Sequence, residues 1–263
     1  MASYAELVAE AALFLKCESV ASNLLPNAGT KGDVPITGSD PSIVTGKYDN
    51  GYQWSGTPYA RIAGVAGVLF GTAGTNFSLG GWFKSNPAAL DKGAFGISIT
   101  WNTGTFLQTS GFIPYDVWGG GSNNGIRCYH RDNDISVPKM EWKESDDAAV
   151  ADGSWHWYLY EKVGKTFSIY FDDAATAANS FLSVNHLGAS TNSINVASRY
   201  TTNDRYWAFM DDVFAFPRAL TTAEKVALRD RTEPEAGGGV GSLPSQFPAC
   251  LPAIEPALAH NYF

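Results

Sequence analysis

The chain has 263 residues, enough for a substantial apolar core without disulfide staples, and a formal charge of −8 from 18 Lys plus Arg against 26 Asp plus Glu. That balance, with no basic cluster, excludes a phosphate-backbone binder and argues against attachment to anionic lipid. Charged residues make up only 17% and aromatics 13%, alongside 27 glycines, which suits a β-sandwich rather than a helical bundle.

Along the chain, Ser3-Tyr4-Ala5-Glu6 has the capping-box spacing and predicts a helix running to about Glu10. Residues 11–17 (AALFLKC) read as a buried first strand, being short, apolar and followed by polar loop residues. This N-terminal segment lacks the basic start and small-residue cleavage site of a signal peptide and carries Glu6 and Glu10 instead, so export by that route is not expected. Residues 22–50, rich in Asn, Gly, Asp, Pro, Thr and Ser, are expected to form a long surface connection with room for one short strand. The longest apolar stretch, 63–70 (AGVAGVLF), is too short and Gly-broken to span a bilayer.

Strand candidates follow at sandwich spacing: 52–54, 59–62, 77–84, 95–101, 105–108, 115–118, 125–130, 139–142, 155–162, 166–172, 194–198 and 207–215. In 155–160 (WHWYLY) and 167–171 (FSIYF) the alternation is imperfect and both faces are rich in apolar or aromatic residues, as in strands buried inside a sandwich. Thr221-x-x-Glu224 opens a second helix with Val226, Ala227 and Leu228 as its apolar stripe; Arg229 and Arg231 in its last turn suit the helix dipole. From 233 onward a Gly run and prolines at 234, 244, 248, 252 and 256 divide a domain over 1–232 from a linker and extended tail over 233–263. Cys17, Cys128 and Cys250 are odd in number and far apart, indicating neither a disulfide framework nor a zinc site.

Taken in order, SYAELVAEAALFLKCES, GKYDNGYQWSGTPYARIAG, FSLGGWFKSN, GSWHWYLYEKVGKTFSIYFDD and RYWAFMDDVFAFPRALTTAEKVALRDR resemble the laminin-G-like, concanavalin-A-like jelly-roll family. The most specific part is Met210-Asp211-Asp212-Val213-Phe214-Ala215-Phe216-Pro217-Arg218-Ala219-Leu220, which is similar to a family strand that leads into a short S/T-x-x-E helix. Trp155-His156 and Tyr170-Phe171-Asp172-Asp173 match a second family pattern, with Asp173 where a Gly is usual; Asp also accepts left-handed turn geometry. The resemblance covers residues 4–231. It implies an all-β fold: a two-sheet antiparallel β-sandwich (jelly roll), with a short N-terminal helix, one short helix near 221–231 and an extended C-terminal tail.

Related jelly-roll glucanases carry Glu-x-Asp-x-Glu on one strand, which sets carboxylates on one face. Here Glu141 and Glu144 are three apart and fall on opposite faces of an extended segment, so no catalytic pair is evident. His156, between two tryptophans, reads as a packed or hydrogen-bonded strand residue, and there is no nucleophile elbow or phosphate loop. A non-enzymatic chain is expected. Related domains often hold calcium in loop oxygens, and the resemblance implies Asp172, Asp173, Asp211 and Asp212, with Asp33, as candidate ligands. Adjacent aspartates also cap turns, so both uses stay open, and no other cofactor is expected. For carbohydrate contact the loop 115–124 offers Tyr115, Trp118, Asn123 and Asn124 beside glycines that admit a ligand; burial of Trp118 in the core is the alternative.

A module of this kind without signal peptide, disulfides or catalytic carboxylates fits a bacteriophage virion protein, made in the host cytoplasm and released by lysis. SYAELV also resembles the start of such modules in phage structural proteins. The expected function is a virion component decorating capsid or tail, with a lectin-like head for cell-surface glycans. A stand-alone lectin-like protein and a glycoside hydrolase are the alternatives. Residues 237–263 would then form a docking arm, with Leu243, Phe247, Leu251, Ile254, Leu258 and Phe263 in grooves of neighbouring virion proteins, within a homo-oligomeric or symmetric assembly. Neither nucleic acid nor membrane is an expected partner.

Overall fold

The computed structural model of the chain describes residues 2–56, 59–63, 76–85, 97–102, 107–113, 127–131, 140–144, 152–182, 192–197 and 206–232. Helix α1 (Tyr4–Glu10) starts where the capping box places it: Glu6 N donates to Ser3 Oγ at 3.1 Å and Ser3 N donates to Glu6 Oε2 at 2.7 Å. Strand β1 (Leu13–Leu15) is shorter than the expected 11–17, because Cys17 takes a left-handed φ of 59° that turns the backbone out of the sheet.

The stretch 22–50 departs most from expectation. It holds three short strands, β2 (Leu24–Leu25), β3 (Val34–Thr37) and β4 (Ser42–Thr45), where a connection with one short strand is expected. Leu25 and Val34 are fully buried and Ile36 packs against the same core, so alternate apolar positions anchor β3 despite its polar surroundings. Asn27 fixes the intervening loop. Its Oδ1 accepts from Phe14 N at 2.7 Å and Gly29 N at 3.0 Å, and its own N–H donates to Asp33 Oδ1 at 3.0 Å.

The remaining elements are β5 (Asn50–Gly56), β6 (Tyr59–Ala63), β7 (Phe77–Ser85), β8 (Ile97–Asn102), β9 (Leu107–Ile113), β10 (Arg127–Arg131), β11 (Met140–Glu144), β12 (His156–Val163), β13 (Thr166–Phe171), β14 (Asn179–Leu182), β15 (Asn192–Val196), β16 (Tyr206–Phe216) and α2 (Thr222–Asp230). The expected strand 115–118 lies outside the described residues, and β14 has no counterpart in the sequence pattern. One sheet runs β14-β13-β12-β7-β16-β5-β4, with β1 also on β16; the other runs β11-β10-β9-β8-β15-β6-β3-β2. Each of these strand pairings is antiparallel.

The main core lies between the sheets, where Leu79, Phe83, Tyr158, Tyr160, Met210 and Val213 meet Leu25, Val34, Ile194 and Val196. The other face of the first sheet is apolar as well: Trp82, Trp157, Leu159, Phe214 and Phe216 pack under Leu7 and Val8 of α1 and Ala227 and Leu228 of α2. This second layer explains why β12 is apolar on both faces. Full burial of each such side chain contributes about 1.5–3 kcal/mol.

Strand β16 breaks the two-residue period to serve both layers. Met210 and Val213 would fall on opposite faces of a regular strand, yet both are in the main core. A bulge between Asp211 and Phe214, with Asp212 at a left-handed φ of 46°, supplies the extra residue. Opposite it, Gly80 is obligatory: a Cβ there would lie 2.6 Å from Phe214 Cζ and 2.5 Å from Tyr158 O.

Helix α2 has its own capping box on Thr221 and Glu224 and ends at Arg231 with a left-handed φ of 51°. It is tied to β12 by a buried ion pair, Lys225 Nζ to Glu161 Oε2 at 2.6 Å, and Glu161 Oε1 also accepts from Leu220 N and Ser78 Oγ. Arg218 joins the helices by pairing with Glu10 of α1 and Glu224 of α2. Among the described residues no helix is long and apolar enough to cross a membrane.

Candidate functional site

The two sheets differ in what lies on their outer faces. Both described helices cover the first sheet, and no described helix packs on the second. Which positions of the second sheet form its outer face follows from register. Ile194 and Val196 of β15 are buried in the main core, so the row through Ile62, Ile194 and Ile99 is an inner row. The alternate positions form the outer face.

Along that face one row runs Arg61 of β6, Asn195 of β15, Ser98 of β8, Gly111 of β9, Tyr129 of β10 and Trp142 of β11, each residue the direct partner of the next. At about 4.8 Å per strand the row is roughly 24 Å long. Beside it lie Ser193 with Thr100, and Thr100 with Thr109. On β10 the alternate positions Arg127, Tyr129 and Arg131 share this face, opposite Glu144, Trp142 and Met140 of β11. The row from Arg61 to Trp142 thus carries polar, basic and aromatic residue types, with the aliphatic positions Leu107, Ile113 and Met140 on the same face beside it, where the outer face of the first sheet is an apolar floor for helices. Glu141 pairs with His130 and Glu144 with Arg127, so β11 sets the two glutamates on opposite faces.

The expected carboxylates are each engaged by the chain's own donors. Arg231 grips Asp212 in a two-point contact, Nε to Oδ2 at 2.7 Å and Nη2 to Oδ1 at 2.9 Å, and Tyr4 OH donates to Asp212 Oδ2 at 3.2 Å. The left-handed end of α2 brings Arg231 there, and its Nη1 also reaches Asp49 at 3.2 Å. Asp211 Oδ2 accepts from Tyr48 N at 2.8 Å, while its Oδ1 is buried and accepts no hydrogen bond, with Arg231 Nη2 at 3.8 Å. Burial pushes the Asp211 carboxyl up to about 7, against the Tyr48 N–H and reinforced by the neighbouring Asp212.

Asp172 serves β12 instead: Oδ1 accepts from Trp157 N at 2.8 Å and Oδ2 lies 2.7 Å from His156 Nδ1, while Asp152 Oδ1 is 3.1 Å from Nε2. His156 stacks on Phe171 at 4.9 Å, the packed and hydrogen-bonded strand histidine that its tryptophan neighbours suggest. Asp173 accepts from Ala175 N and Thr176 N, a turn cap. Asp33 stays in the Asn27 loop. Among the described residues no group of three or more His, Cys, Asp or Glu converges to hold a metal ion.

Of the carbohydrate-contact candidates, Tyr115, Trp118, Asn123 and Asn124 lie outside the described residues, as do the arm residues Leu243, Phe247, Leu251, Ile254, Leu258 and Phe263. Sequence reasoning passed over Arg127, Tyr129, Arg131 and Trp142. The signal was present in the alternation Arg-Cys-Tyr-His-Arg, but alternation alone does not say which face is the outer one.

No family model and no curated protein sequence matches the chain. Solved structures do match. Domain 4 of an extracellular arabinanase from Geobacillus stearothermophilus, in complex with arabinotriose, superposes with a TM-score of 0.56 at 13% identity, over 84% of this chain and 98% of that one. The botulinum neurotoxin serotype G binding domain gives 0.54 at 16% identity, over 83% of this chain and 50% of that one. Trypanosoma rangeli sialidase in complex with sialic acid gives 0.54 at 12% identity, over 83% and 32%. The chain therefore spans about half of the neurotoxin domain and a third of the sialidase. At these identities the likeness establishes the fold, a two-sheet β-sandwich of jelly-roll type.

Proposed function

We propose that this chain is a non-enzymatic carbohydrate-binding sandwich whose ligand lies on the outer face of the second sheet. The observation that carries this is the row from Arg61 to Trp142. Sugars present C–H faces that stack on aromatic rings and hydroxyls that need hydrogen-bonding partners. The row supplies Tyr129 and Trp142 as neighbours, a glycine beside them and Ser98 and Asn195 beyond. The fold is shared with an arabinanase domain in complex with arabinotriose and a sialidase in complex with sialic acid, which supports the same reading. The split of Glu141 and Glu144 between opposite faces supports a role without hydrolysis, since a retaining pair needs both carboxylates on one face about 5 Å apart.

The wider setting we infer is a virion, with the sandwich as the exposed head of a capsid or tail accessory protein and 237–263 as its docking arm. The resemblance of SYAELV to phage structural modules and the Pro-rich, intermittently apolar composition of the arm support it. A lectin-like protein acting outside any particle is the alternative.

A glycan array tests the binding function. The purified protein binds at least one glycan, and Trp142→Ala and Tyr129→Ala each weaken that binding about tenfold with little change in melting temperature. Absence of binding across the array, or binding that both variants retain in full, overturns the proposal.

A further inference from the structure

We infer that the saccharide taken by this face is acidic, carrying carboxylate or sulfate groups, and that Arg127 and Arg131 on either side of Tyr129 select it. This rests on the carbohydrate-binding function proposed above and adds the ligand's chemical class to it.

The starting point is a contrast of charge. The chain as a whole carries −8. Yet the outer-face positions of the second sheet's strands include Arg61, Arg127 and Arg131 against one acid, Glu144. A basic strip on an acidic molecule is the arrangement that steers one class of anion to one place while the remaining surface repels it elsewhere.

The spacing then assigns roles. Alternate residues of a strand are about 6.7 Å apart, so Arg127 and Arg131 stand about 13 Å from each other with Tyr129 midway. A sugar ring placed at Tyr129 and Trp142 has an arginine position on each side along the strand, within the span of its own substituents or those of the next ring. Guanidinium groups match carboxylate and sulfate oxygens in a two-point fork, which a neutral hydroxyl does not exploit. The two arginines are not equivalent. Arg127 lies opposite an acidic position, Glu144, in the register, whereas Arg131 lies opposite Met140. Arg131 is therefore the stronger selector. Arg61 ends the same row four strands away, about 19 Å from Tyr129, where a further acidic residue of an extended chain would meet it.

The experiment uses the full chain and four probes: polygalacturonate for carboxylate, dextran sulfate for sulfate, dextran for the neutral case and a single-stranded oligodeoxynucleotide for phosphate. At least one acidic polysaccharide binds about tenfold or more tightly than dextran, and its affinity falls as salt rises. Arg131→Gln weakens it about tenfold and Arg127→Gln less, with Arg131→Lys between wild type and Arg131→Gln. Lys165→Gln, which removes one positive charge from the exposed hairpin between β12 and β13, leaves it unchanged; melting temperatures report that each variant is folded. Dextran bound as tightly as the acidic polymers overturns the acidic class and leaves the carbohydrate function standing. No binding to these polysaccharides or to the array overturns both. Acidic binding that survives the double Arg127→Gln, Arg131→Gln variant overturns the assignment to this strand, and tighter binding of the oligonucleotide than of either acidic polymer replaces it with a nucleic-acid surface.

Discussion

His156 has a carboxylate on each ring nitrogen, Asp172 at 2.7 Å and Asp152 at 3.1 Å, and only the doubly protonated ring donates to both. The hydrogen bond to Asp172 is the chief cause holding its pKa above the ordinary value, against burial, with Asp152 adding to the rise. A base whose pKa rises on folding adds stability that is complete below about 6.5, its unfolded value, and is lost as pH climbs through the folded value. His156→Gln is therefore expected to cost about 1–2 kcal/mol at pH 6 and less at pH 9, measured by urea unfolding at each pH. A variant effect that is flat across this range would show that the ring is neutral in the folded protein. The tryptophans flanking His156 made its packing legible from sequence. The partner of Asp212 was not: Arg231 reads as a complement to the helix dipole, and only the left-handed turn that ends α2 carries it back to the bulge.

Among elements, the two helices were readable because their caps are local, each box closing within four residues. Strands β2, β4 and β14 were not, because short edge strands owe their existence to a neighbour's hydrogen bonds rather than to a pattern of their own, and β3, held between β2 and β6, is only four residues long, too short for its alternation to stand out. The bulge in β16 escaped for a related reason, since Met-Asp-Asp-Val shows its broken period only once Met210 and Val213 are known to share a core. Helix α2 depends on more than its cap. Glu161 and Lys225 are 4% and 6% exposed, and removing one leaves the other charged in an apolar layer. Lys225→Ala is expected to destabilise the protein by about 3–5 kcal/mol, and the paired change Glu161→Gln with Lys225→Met by clearly less, on chemical denaturation. Equal losses would mean that the pair does not hold the helix through its charge.

For the whole molecule, the described core residues run from Leu7 to Leu228. A chain cut after Thr232 should unfold cooperatively within about 4 °C of the full chain. A larger fall would make the Pro-rich segment part of the fold, whereas retention of stability with loss of incorporation into particles would mark it as the arm. The two-sheet class was legible from composition, turn spacing and the resemblance. The face proposed for binding was not, because Arg127, Tyr129 and Arg131 acquire a side only when β10 is traced through β9 and β8 to Ile194.

Helices α1 and α2 lie together behind the first sheet, joined by Arg218, so residue 232 leaves the sandwich on the side away from the second sheet's outer face. Anything joined at that point, whether a particle, a bead or a fusion partner, holds the molecule by its back. Copies mounted this way on one particle would present their arginine-flanked strands outward in parallel. Weak contacts with a repeating acidic chain would then combine, so that avidity across an array rather than the affinity of one sandwich sets how firmly the particle is retained.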